Sequence, residues 1–344
     1  MIGVQKGKNF GIVTLGEILL RLSPPENERL AYSDIFEKRI GGSELNVAAG
    51  VSMLGIPSAM ISVLPQNEMG RFARRSLKGA GVDDSLVTKD ALPTSRLGLY
   101  YTEQGSYPRQ TSVTYDRLAT SFCTLDASLV PEHIFSETAV FHTSGITLAK
   151  DQAIRYAAKS LMEKFKAAGA IVAFDVNYRA SLWSEDAARS ALLEILPLVD
   201  ILFVSEETCR RMLGKSGELW EIQKEISKEY PEISLIASTK RQVKSPKIHD
   251  FSSLLYDKHS GEFHEEIPYL GIEVVDRIGS GDAFVAGALF ALLKFGTAEA
   301  MVKYGNAMAA LKITTHGDMP ECDLADVERT IKNHSAKSTD ELLR

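Results

Sequence analysis

Short apolar runs alternate with segments of helical spacing along most of the chain. The apolar runs predict buried strands, and they read GIVTLGE, SAMISVLP, AVFHTSG, AIVAFDVN, DILFVS and SLIAST. The helical spacing predicts helices that begin at Ser43, with this serine as the N-cap, and that cover 68–80, 151–167 and 185–196. Strands that are apolar throughout and alternate with helices are typical of a parallel sheet covered on both faces. We therefore predict an α/β fold and a single domain over residues 1–344.

Two stretches interrupt this alternation, at about 18–40 and about 88–118. In both, polar and apolar residues alternate around turns that contain proline or glycine, which predicts hairpins. We expect these hairpins to form a small extra sheet, inserted as a lid over a cleft. Its strands would present open edges, which usually need pairing. We therefore expect a homo-oligomer that assembles through the lid.

Composition and charge exclude several classes of protein. The chain of 344 residues carries a net charge of −6 and has no basic block, which argues against nucleic acid as a partner. Three cysteines lie far apart, and their odd number and spacing give neither a disulfide framework nor a metal site. No apolar run reaches membrane-spanning length. We expect a cytoplasmic protein with no membrane partner.

The stretch DRIGSGDAFVAGALFALL joins a turn of small residues to an apolar helix that has one early carboxylate, Asp282. Gly279 and Gly281 allow backbone torsions closed to other residues, so the amides of Gly279, Ser280 and Gly281 are expected to converge at the helix N-terminus. Such an amide cradle would stabilise a phosphoryl group in transfer, and Asp282 would accept a proton from the attacking hydroxyl. On this motif alone, a first-turn acid favoured by the helix dipole is the alternative.

The same stretch resembles the C-terminal signature of the PfkB/ribokinase family of carbohydrate kinases, D-T-x-G-A-G-D-x-F, with Arg277 and Ser280 in place of threonine and alanine. GGSELNVAAG resembles the family's early Gly-Gly-x-x-x-N-x-A segment, and the lid insertions and YGNAMAALKITTHGD are also similar. The resemblance implies a ribokinase-like fold. It also implies a phosphotransferase that acts on an alcohol group of a carbohydrate, with ATP as donor and Mg²⁺ as cofactor.

Within the family, the chain is most similar to the group that phosphorylates 2-keto-3-deoxygluconate. TLGEILLRLSPP, FDVNYRASLW, GLYY and TYDR are the segments that carry this similarity. A sugar acid needs a fixed cation for its carboxylate, and Arg117 and Arg179 are the candidates. Arg117 lies two residues after Tyr115, so that both side chains share one strand face, and Tyr100 is expected to hydrogen-bond the substrate from the neighbouring strand. For each arginine, a solvated surface charge is the alternative.

Three further segments are candidates for contacts with the sugar. Gly41 and Gly42 lack side chains and allow close approach of a polyol at a helix N-terminus. Asn46 lies in the first turn of that helix and is expected to contact sugar hydroxyls. The resemblance implies that Asp318, in THGDMP, reaches a substrate hydroxyl. An ordinary loop-to-helix turn is the alternative for the glycine pair.

The nucleotide side departs from the family pattern. A family segment Asn-x-x-Glu, which helps to organise hydrated magnesium, is replaced by SEET, in which Ser205 is expected to face the nucleotide and the metal ligands stay unknown. A glycine-rich turn is replaced by STKRQVKS, in which Ser238, Lys240 and Arg241 would meet phosphates through their side chains. A loop of solvated basic residues is the alternative. Asn306 is a candidate for an adenine-side contact or for helix packing.

These resemblances together imply ATP-dependent phosphorylation of 2-keto-3-deoxy-D-gluconate at its 6-hydroxyl, with Asp282 as the general base. Two alternatives stay open. One is another sugar kinase of the same fold, such as a fructokinase or a ribokinase. The other is a catalytically silent protein that binds a sugar or a nucleotide and acts as a regulator, which the departures in SEET and STKRQVKS would explain.

Overall fold

The computed structural model describes residues 2–337, so that Met1 and 338–344 of the predicted domain lie outside the described residues. The strands are β1 (Phe10–Leu15), β2 (Leu19–Ser23), β3 (Glu37–Gly41), β4 (Ser58–Pro65), β5 (Val87–Asp90), β6 (Gly98–Glu103), β7 (Ser112–Asp116), β8 (Thr138–Ser144), β9 (Ile171–Asp175), β10 (Ile201–Phe203), β11 (Leu235–Ser245), β12 (Ile248–Asp257), β13 (Glu262–Glu265) and β14 (Tyr269–Glu273). The helices are α1 (Ser43–Met53), α2 (Glu68–Gly79), α3 (Glu132–Ser136), α4 (Gly145–Leu148), α5 (Gln152–Ala167), α6 (Glu185–Ile195), α7 (Glu206–Met212), α8 (Leu219–Glu229), α9 (Ser280–Phe295), α10 (Ala298–Ile313) and α11 (Leu324–Lys337). Short 3-10 helices cover Ser121–Thr124, Ala127–Leu129 and Leu196–Leu198. None of the described helices is long and apolar enough to cross a membrane.

Ten strands form one large sheet in the order β13-β12-β11-β10-β9-β8-β1-β4-β5, with β14 beside β12. All neighbours from β11 to β5 run parallel, and β12 pairs antiparallel with its three partners. One apolar core lies between the sheet and helices α1, α9 and α10, and a second lies on the opposite face beneath α5, α6 and α8. The predicted α/β fold, with a mostly parallel sheet covered on both faces, is confirmed.

Four strands form a separate small sheet in the order β3-β2-β6-β7, which we call the lid. It consists of two antiparallel hairpins, β2–β3 and β6–β7, joined by parallel pairing of β2 with β6. These strands lie within the two stretches in which the sequence predicts hairpins. The short strand β5 differs, because it pairs with β4 in the large sheet and buries Val87 in the core beneath α2. The second lid segment therefore begins after β5 and not at residue 88.

The segment STKRQVKS, which takes the place of a family turn and for which a solvated loop was the alternative, is neither a turn nor a loop, because strand β11 continues through it to Ser245. The strand β12 that follows pairs with it antiparallel over its whole length, and Arg241 stands opposite Phe251. The segment contains no glycine or proline to end the strand, and the hairpin partner satisfies its backbone groups. Its side chains therefore alternate between two faces, which decides which of them can reach a ligand.

Two helices from opposite ends of the chain meet with their N-termini at the same place. Helix α1 has Gly42 as its N-cap, with φ 138°, and Ser43 is its first residue and not the predicted cap. Helix α9 has Gly279 as its N-cap, with φ 84°. The two helices pack closely, because a Cβ added at Gly50 would lie 2.7 Å from the Cβ of Ala286. Their first turns also meet, because Ser43 Oγ of α1 donates a hydrogen bond to Asp282 Oδ1 of α9.

Candidate active site

A cavity of about 920 Å³ lies at the carboxyl ends of the parallel strands, between the large sheet and the lid. Lid residues Tyr100 and Tyr115 line one side of it, and the first turn of α9 lines another. Open α/β sheets bind ligands at this edge, and the volume suits a small-molecule site. The residues that face it therefore define the candidate active site.

Asp282 lies in the first turn of α9, is 9% exposed and lines this cavity. Ser43 Oγ donates a hydrogen bond of 2.9 Å to its Oδ1, and Asn46 Nδ2 donates one of 2.7 Å to its Oδ2. Asn177 Nδ2 in turn donates to Ser43 Oγ at 2.9 Å. Burial raises the pKa of Asp282 above its ordinary value, and the hydrogen bonds from Asn46 and Ser43 oppose this increase. The carboxylate is thus held in one orientation beside the cavity.

The turn into α9 contains two N–H groups that have no acceptor within the described residues. Ser280 N–H points at the carbonyl oxygen of Arg277 at 3.4 Å, so that it is partly used within the turn. Among residues 2–337, the N–H groups of Gly279 and Gly281 have no acceptor. Both glycines line the cavity at the positive end of the α9 dipole. Of the three amides predicted to converge on an anion, those of Gly279 and Gly281 are therefore available to a ligand, and that of Ser280 is partly used.

Tyr100, Tyr115 and Asp318, three of the residues predicted to contact the sugar, line the cavity close to one another, and Gly41 lies behind them without lining it. Tyr100 Oη donates a hydrogen bond to Asp318 Oδ2, and Arg21 Nη1 donates to Asp318 Oδ1 at 2.8 Å. Gly41 stands against the same carboxylate, and an added Cβ would lie 3.0 Å from Tyr100 Oη. The Tyr115 ring lies 5.9 Å from that of Tyr100. The aromatic wall and the carboxylate thus form one connected surface.

Arg117 is engaged with a buried carboxylate and does not project freely into the cavity. Its Nε and Nη2 lie 2.8 Å and 2.6 Å from Glu17 Oε2. Lys150 Nζ lies 2.9 Å from the other oxygen of Glu17. Two cations around one carboxylate leave one excess positive charge at this wall of the cavity. Glu17 and Arg117 line the cavity directly, whereas Lys150 does not.

Three further arginines, Arg179, Arg241 and Arg277, line the cavity, and none of them forms an ion pair within 4.0 Å among residues 2–337. Arg179 follows β9, Arg241 lies on the extended part of β11, and Arg277 lies in the turn before α9. Burial, followed by repulsion from Arg277 and Arg179, lowers the pKa of Arg241. The charge of Arg179 also acts on Asp175 and Asp282, where it opposes the rise in pKa that burial causes. Guanidinium groups beside a helix N-terminus are groups that suit an anionic ligand.

Asp175 lines the cavity, although it was not among the predicted site residues. It is the last residue of β9, and its Oδ1 accepts a hydrogen bond of 3.1 Å from Asn177 N–H. Burial and the nearby charge of Asp282 raise the pKa of Asp175 to about 7. Its position at the carboxyl end of a buried strand is a signal that sequence reasoning had available. Ser43 was missed for another reason, since it was assigned as a helix cap.

Strand alternation separates the polar residues at the start of STKRQVKS. Thr239 and Arg241 line the cavity, whereas Ser238 and Lys240 point to the other face of β11. Ser238 is buried, and its Oγ accepts a hydrogen bond of 3.1 Å from Gln223 Nε2. The expectation that Ser238 and Lys240 face the nucleotide is corrected, because it assumed a loop. Arg241 does face the cavity.

Two other residues predicted to contact the nucleotide use their side chains within the protein. Ser205 lines the cavity, but its hydroxyl caps α7, accepting from Thr208 N–H at 3.1 Å and lying 2.8 Å from Thr208 Oγ1. Asn306 is fully buried, does not line the cavity and accepts a hydrogen bond of 2.7 Å from Ser253 Oγ. For Asn306 the packing alternative therefore describes the structure, and the adenine-side contact does not.

Comparison with known proteins gives a consistent result over almost the whole chain. A family model described as pfkB family carbohydrate kinase matches residues 9–323. A curated protein from Haloferax volcanii, 2-dehydro-3-deoxygalactonokinase, is 35% identical over 325 residues, which are 94% of this chain and 98% of that protein.

Solved structures agree with this match. A PfkB family carbohydrate kinase from Listeria grayi has a TM-score of 0.86 at 33% identity, with 94% of this chain and 99% of that chain covered. The 2-dehydro-3-deoxygluconokinase from Thermotoga maritima has a TM-score of 0.88 at 28% identity, with 94% and 100% covered. The resemblance that two sequence signatures indicated is confirmed. The chain belongs to the PfkB family of carbohydrate kinases, which are phosphotransferases that act on an alcohol group.

Proposed function

We propose that this kinase uses ATP to phosphorylate the 6-hydroxyl of 2-keto-3-deoxy-D-gluconate, with Asp282 as the general base. The product is 2-keto-3-deoxy-6-phosphogluconate. The observation that carries the proposal is that Asp282 lines the same cavity as two separate positive regions, one at the lid and one beside the α9 turn. A substrate carboxylate and a triphosphate are the two anions that this arrangement suits. The names of the Haloferax and Thermotoga relatives support the same substrate class.

At Asp282 the chemistry is a proton transfer coupled to phosphoryl transfer. The carboxylate accepts the proton of the 6-hydroxyl as that oxygen bonds to the γ-phosphorus, and the bond from the γ-phosphorus to the bridging oxygen breaks to release ADP. The hydrogen bonds from Ser43 and Asn46 fix the carboxylate and leave other lone pairs for the proton. The free amides of Gly279 and Gly281 stabilise the negative charge of the phosphoryl oxygens in transfer.

At the donor end, Arg179, Arg241 and Arg277 hold the triphosphate of ATP. This role for Arg179 differs from the predicted contact with the substrate carboxylate, and its closeness to the other two arginines supports it. No group of three or more potential metal ligands occurs among residues 2–337. Magnesium typically keeps several waters and binds through substrate phosphates with one or two carboxylates, so that a complete protein cage is not required. Asp175 is the carboxylate at this end that fits the role, and the ion would neutralise phosphate charge.

At the lid end, the cluster of Glu17, Arg117 and Lys150 supplies the excess positive charge that attracts the carboxylate of the sugar acid. Gly42 and Asn46 at the start of α1, with Asp318 and Tyr115, line the space for the sugar hydroxyls. The lid excludes water that would otherwise hydrolyse ATP. A neutral sugar leaves the excess charge without a partner, which is the physical basis for preferring a sugar acid.

The C4 epimer, 2-keto-3-deoxy-D-galactonate, is a second candidate substrate, because the Haloferax relative carries the name of a kinase for it. Both epimers present the same carboxylate and terminal hydroxyl. They differ in the direction of one hydroxyl. The enzyme would distinguish them if a protein group hydrogen-bonds that hydroxyl, and it would accept both if water fills the space around it.

A coupled assay of ADP release with a panel of substrates tests the proposal. The panel contains both epimers, D-fructose and D-ribose, each with ATP and Mg²⁺, and phosphorus NMR identifies the phosphorylated oxygen. We expect kcat/KM for a 2-keto-3-deoxy sugar acid to exceed that for either neutral sugar by at least about 100-fold. A preference for fructose or ribose would replace the substrate assignment. No ADP release with any member, from a folded protein that binds ATP, would favour the silent regulator.

A further inference from the structure

Lys312 is a fully buried lysine directly behind the candidate active site, near the end of α10. It is 1% exposed, and its Nζ donates hydrogen bonds to the carbonyl oxygens of Asp276 at 3.0 Å and Thr315 at 3.2 Å. Within the described part of the chain it forms no ion pair within 4.0 Å. Burial of an ammonium group is unfavourable unless its donors are satisfied, so that these two carbonyl oxygens are its essential partners.

The two carbonyl oxygens belong to backbone segments that meet at the cavity. Asp276 begins the turn that leads to Gly279 and the free amides, and Thr315 begins the segment that leads to Asp318. These segments are in direct contact, because a Cβ added at Gly279 would overlap the carbonyl oxygen of Asp318. Lys312 therefore joins the starting points of the two segments whose ends line the active site.

The side chain of Asp276 makes a second connection between the same segments. Its Oδ1 accepts from Ile278 N–H at 3.1 Å, and its Oδ2 accepts from Gly317 N–H at 3.3 Å. Arg21 of the lid lies 2.6 Å from Asp276 Oδ2 and also pairs with Asp318. Two carboxylates, one guanidinium and the ammonium of Lys312 thus form a buried cluster with balanced formal charge.

We propose that Lys312 is a positioning residue whose ammonium group holds the turn 276–279 against the segment 315–318. In this way it sets the position of the Gly279 and Gly281 amides relative to Asp282. An apolar side chain could fill the same volume, but it would leave two buried carbonyl oxygens without a donor and one negative charge in excess. The turn would then move towards water or towards another cation.

The proposal rests on the proposed function where turnover is concerned. The cradle acts on the phosphoryl group in the transition state, so that its displacement affects kcat more than substrate binding. We expect Lys312→Met to lower kcat by about 10- to 100-fold, since a shift of about 1 Å can cost 100-fold in rate. The KM values for ATP and the sugar acid should change by less than about threefold.

Chemical rescue separates positioning by the ammonium from general loss of structure. Lys312→Ala removes the part of the side chain that n-propylammonium replaces, and a second cavity of about 270 Å³ lined by Lys312 and Thr315 gives that ion a route. We expect propylammonium to restore kcat of this variant by about tenfold, whereas 1-propanol and sodium chloride at equal concentration restore none. Lys166→Met is the control for loss of a lysine elsewhere, because Lys166 Nζ also donates to a carbonyl oxygen, that of Leu198 at 3.0 Å, and pairs with Asp200, and it does not line the cavity. Its kcat should be unchanged and insensitive to propylammonium.

Hydrogen–deuterium exchange on the free protein tests the same inference without turnover. In Lys312→Met, the amides of Ile278 and Gly317 should exchange faster than in the wild-type protein, while peptides from β4 and α5 should not change. Unchanged exchange at 276–279 and 315–318, or restoration of kcat by 1-propanol as well as by propylammonium, would overturn the proposal. If the wild-type protein phosphorylates no sugar, the proposed function fails, and the exchange result still decides the role of Lys312.

Discussion

Asn46 Nδ2 lies 2.7 Å from Asp282 Oδ2, which joins two residues separated by 236 positions in the sequence. Asn46 comes from the early GGSELN segment and Asp282 from the late GSGD segment. The two sequence signatures are therefore two halves of one site, and close packing of α1 on α9 brings them together. The amide of Asn46 orients the carboxylate, and it also reduces the rise in pKa that burial produces.

Replacement of Asp282 tests its role as the general base. We expect Asp282→Asn to lower kcat by about 10²- to 10⁴-fold, because the amide cannot accept the hydroxyl proton. The melting temperature should not fall, since the amide oxygen still accepts one bond and a buried charge is removed. Ser43→Ala is the comparison variant. It should lose less activity, because it keeps the carboxylate of Asp282 and removes only one of the hydrogen bonds that orient it. An unchanged kcat in folded Asp282→Asn would remove this residue from the role.

The raised pKa of Asp175 predicts a stability effect that depends on pH. Burial, followed by repulsion from Asp282, raises the pKa from 3.8 to about 7 in the folded state. The stabilising contribution of the protonated group is therefore present below pH 3.8 and is lost as the pH rises through about 7. Asp175→Asn keeps the uncharged form at every pH. The melting temperature of the variant minus that of the wild type should therefore be about 2–4 °C higher at pH 8 than at pH 5.

Differential scanning calorimetry at the two pH values, without ATP or magnesium, measures this difference. Asp186→Asn in the exposed first turn of α6 is the control, and its difference from wild type should not vary with pH. A difference in melting temperature between Asp175→Asn and wild type that is the same at pH 5 and pH 8 would contradict the raised pKa of Asp175.

The large sheet and the lid follow from local patterns, because period-2 alternation and wholly apolar runs depend on neighbouring residues. The face of β11 that each side chain occupies also follows from a simple rule, but only once the segment is known to be a strand. STKRQVKS has no strongly apolar run, and it is a strand because β12 pairs with it. Tertiary pairing, which a single sequence does not display, therefore decided that Arg241 and not Lys240 faces the cavity.

The partners of charged residues were the least predictable feature of the site. Spacing indicated that Arg117 and Tyr115 share a face, but it carried no information that Glu17, 100 positions earlier, pairs with Arg117. In the same way, Lys312 sits in an apolar helical pattern and gives no local sign that it bonds to carbonyl oxygens behind the active site. Such contacts depend on the three-dimensional arrangement of distant segments.

The two glycines of the cradle should respond differently to alanine. Gly279 has φ 84° and stands against the backbone of Asp318, so that Gly279→Ala should destabilise the protein by about 1–3 kcal/mol or more and abolish turnover. A Cβ at Gly281 meets nothing within 4 Å, and alanine is the better helix former, so that stability should be unchanged or rise by up to about 1 kcal/mol. Urea denaturation measures both values. Equal destabilisation by the two variants would contradict the described geometry.

Substitution of two arginines should show which part of the cavity binds the triphosphate and which part binds the substrate carboxylate. Arg277→Met should raise KM for ATP by about 10-fold or more and leave KM for the sugar acid nearly unchanged, since loss of a charged hydrogen bond costs about 1.5–3 kcal/mol. Arg117→Met should reduce kcat/KM for sugar acids much more than for neutral sugars. Exposed Arg189 on α6 supplies the control, because Arg189→Met should change neither constant. An equal loss with charged and neutral sugars for Arg117→Met would count against the carboxylate contact.

Assembly through the lid stays a prediction, and exposed apolar side chains beside it support a second copy of the chain as the partner. Tyr32 and Ile35, in the connection between β2 and β3, are 81% and 64% exposed, and β3 is an edge strand of the lid. We expect the wild-type protein to be a dimer at micromolar concentration by light scattering coupled to gel filtration. Ile35→Asp should shift it towards monomer, since an unpaired charge opposes burial of this surface. Leu193→Asp on α6, 41% exposed in the wild type, is the control. A monomeric wild-type protein, or a dimer unaffected by Ile35→Asp, would place the interface elsewhere or remove it.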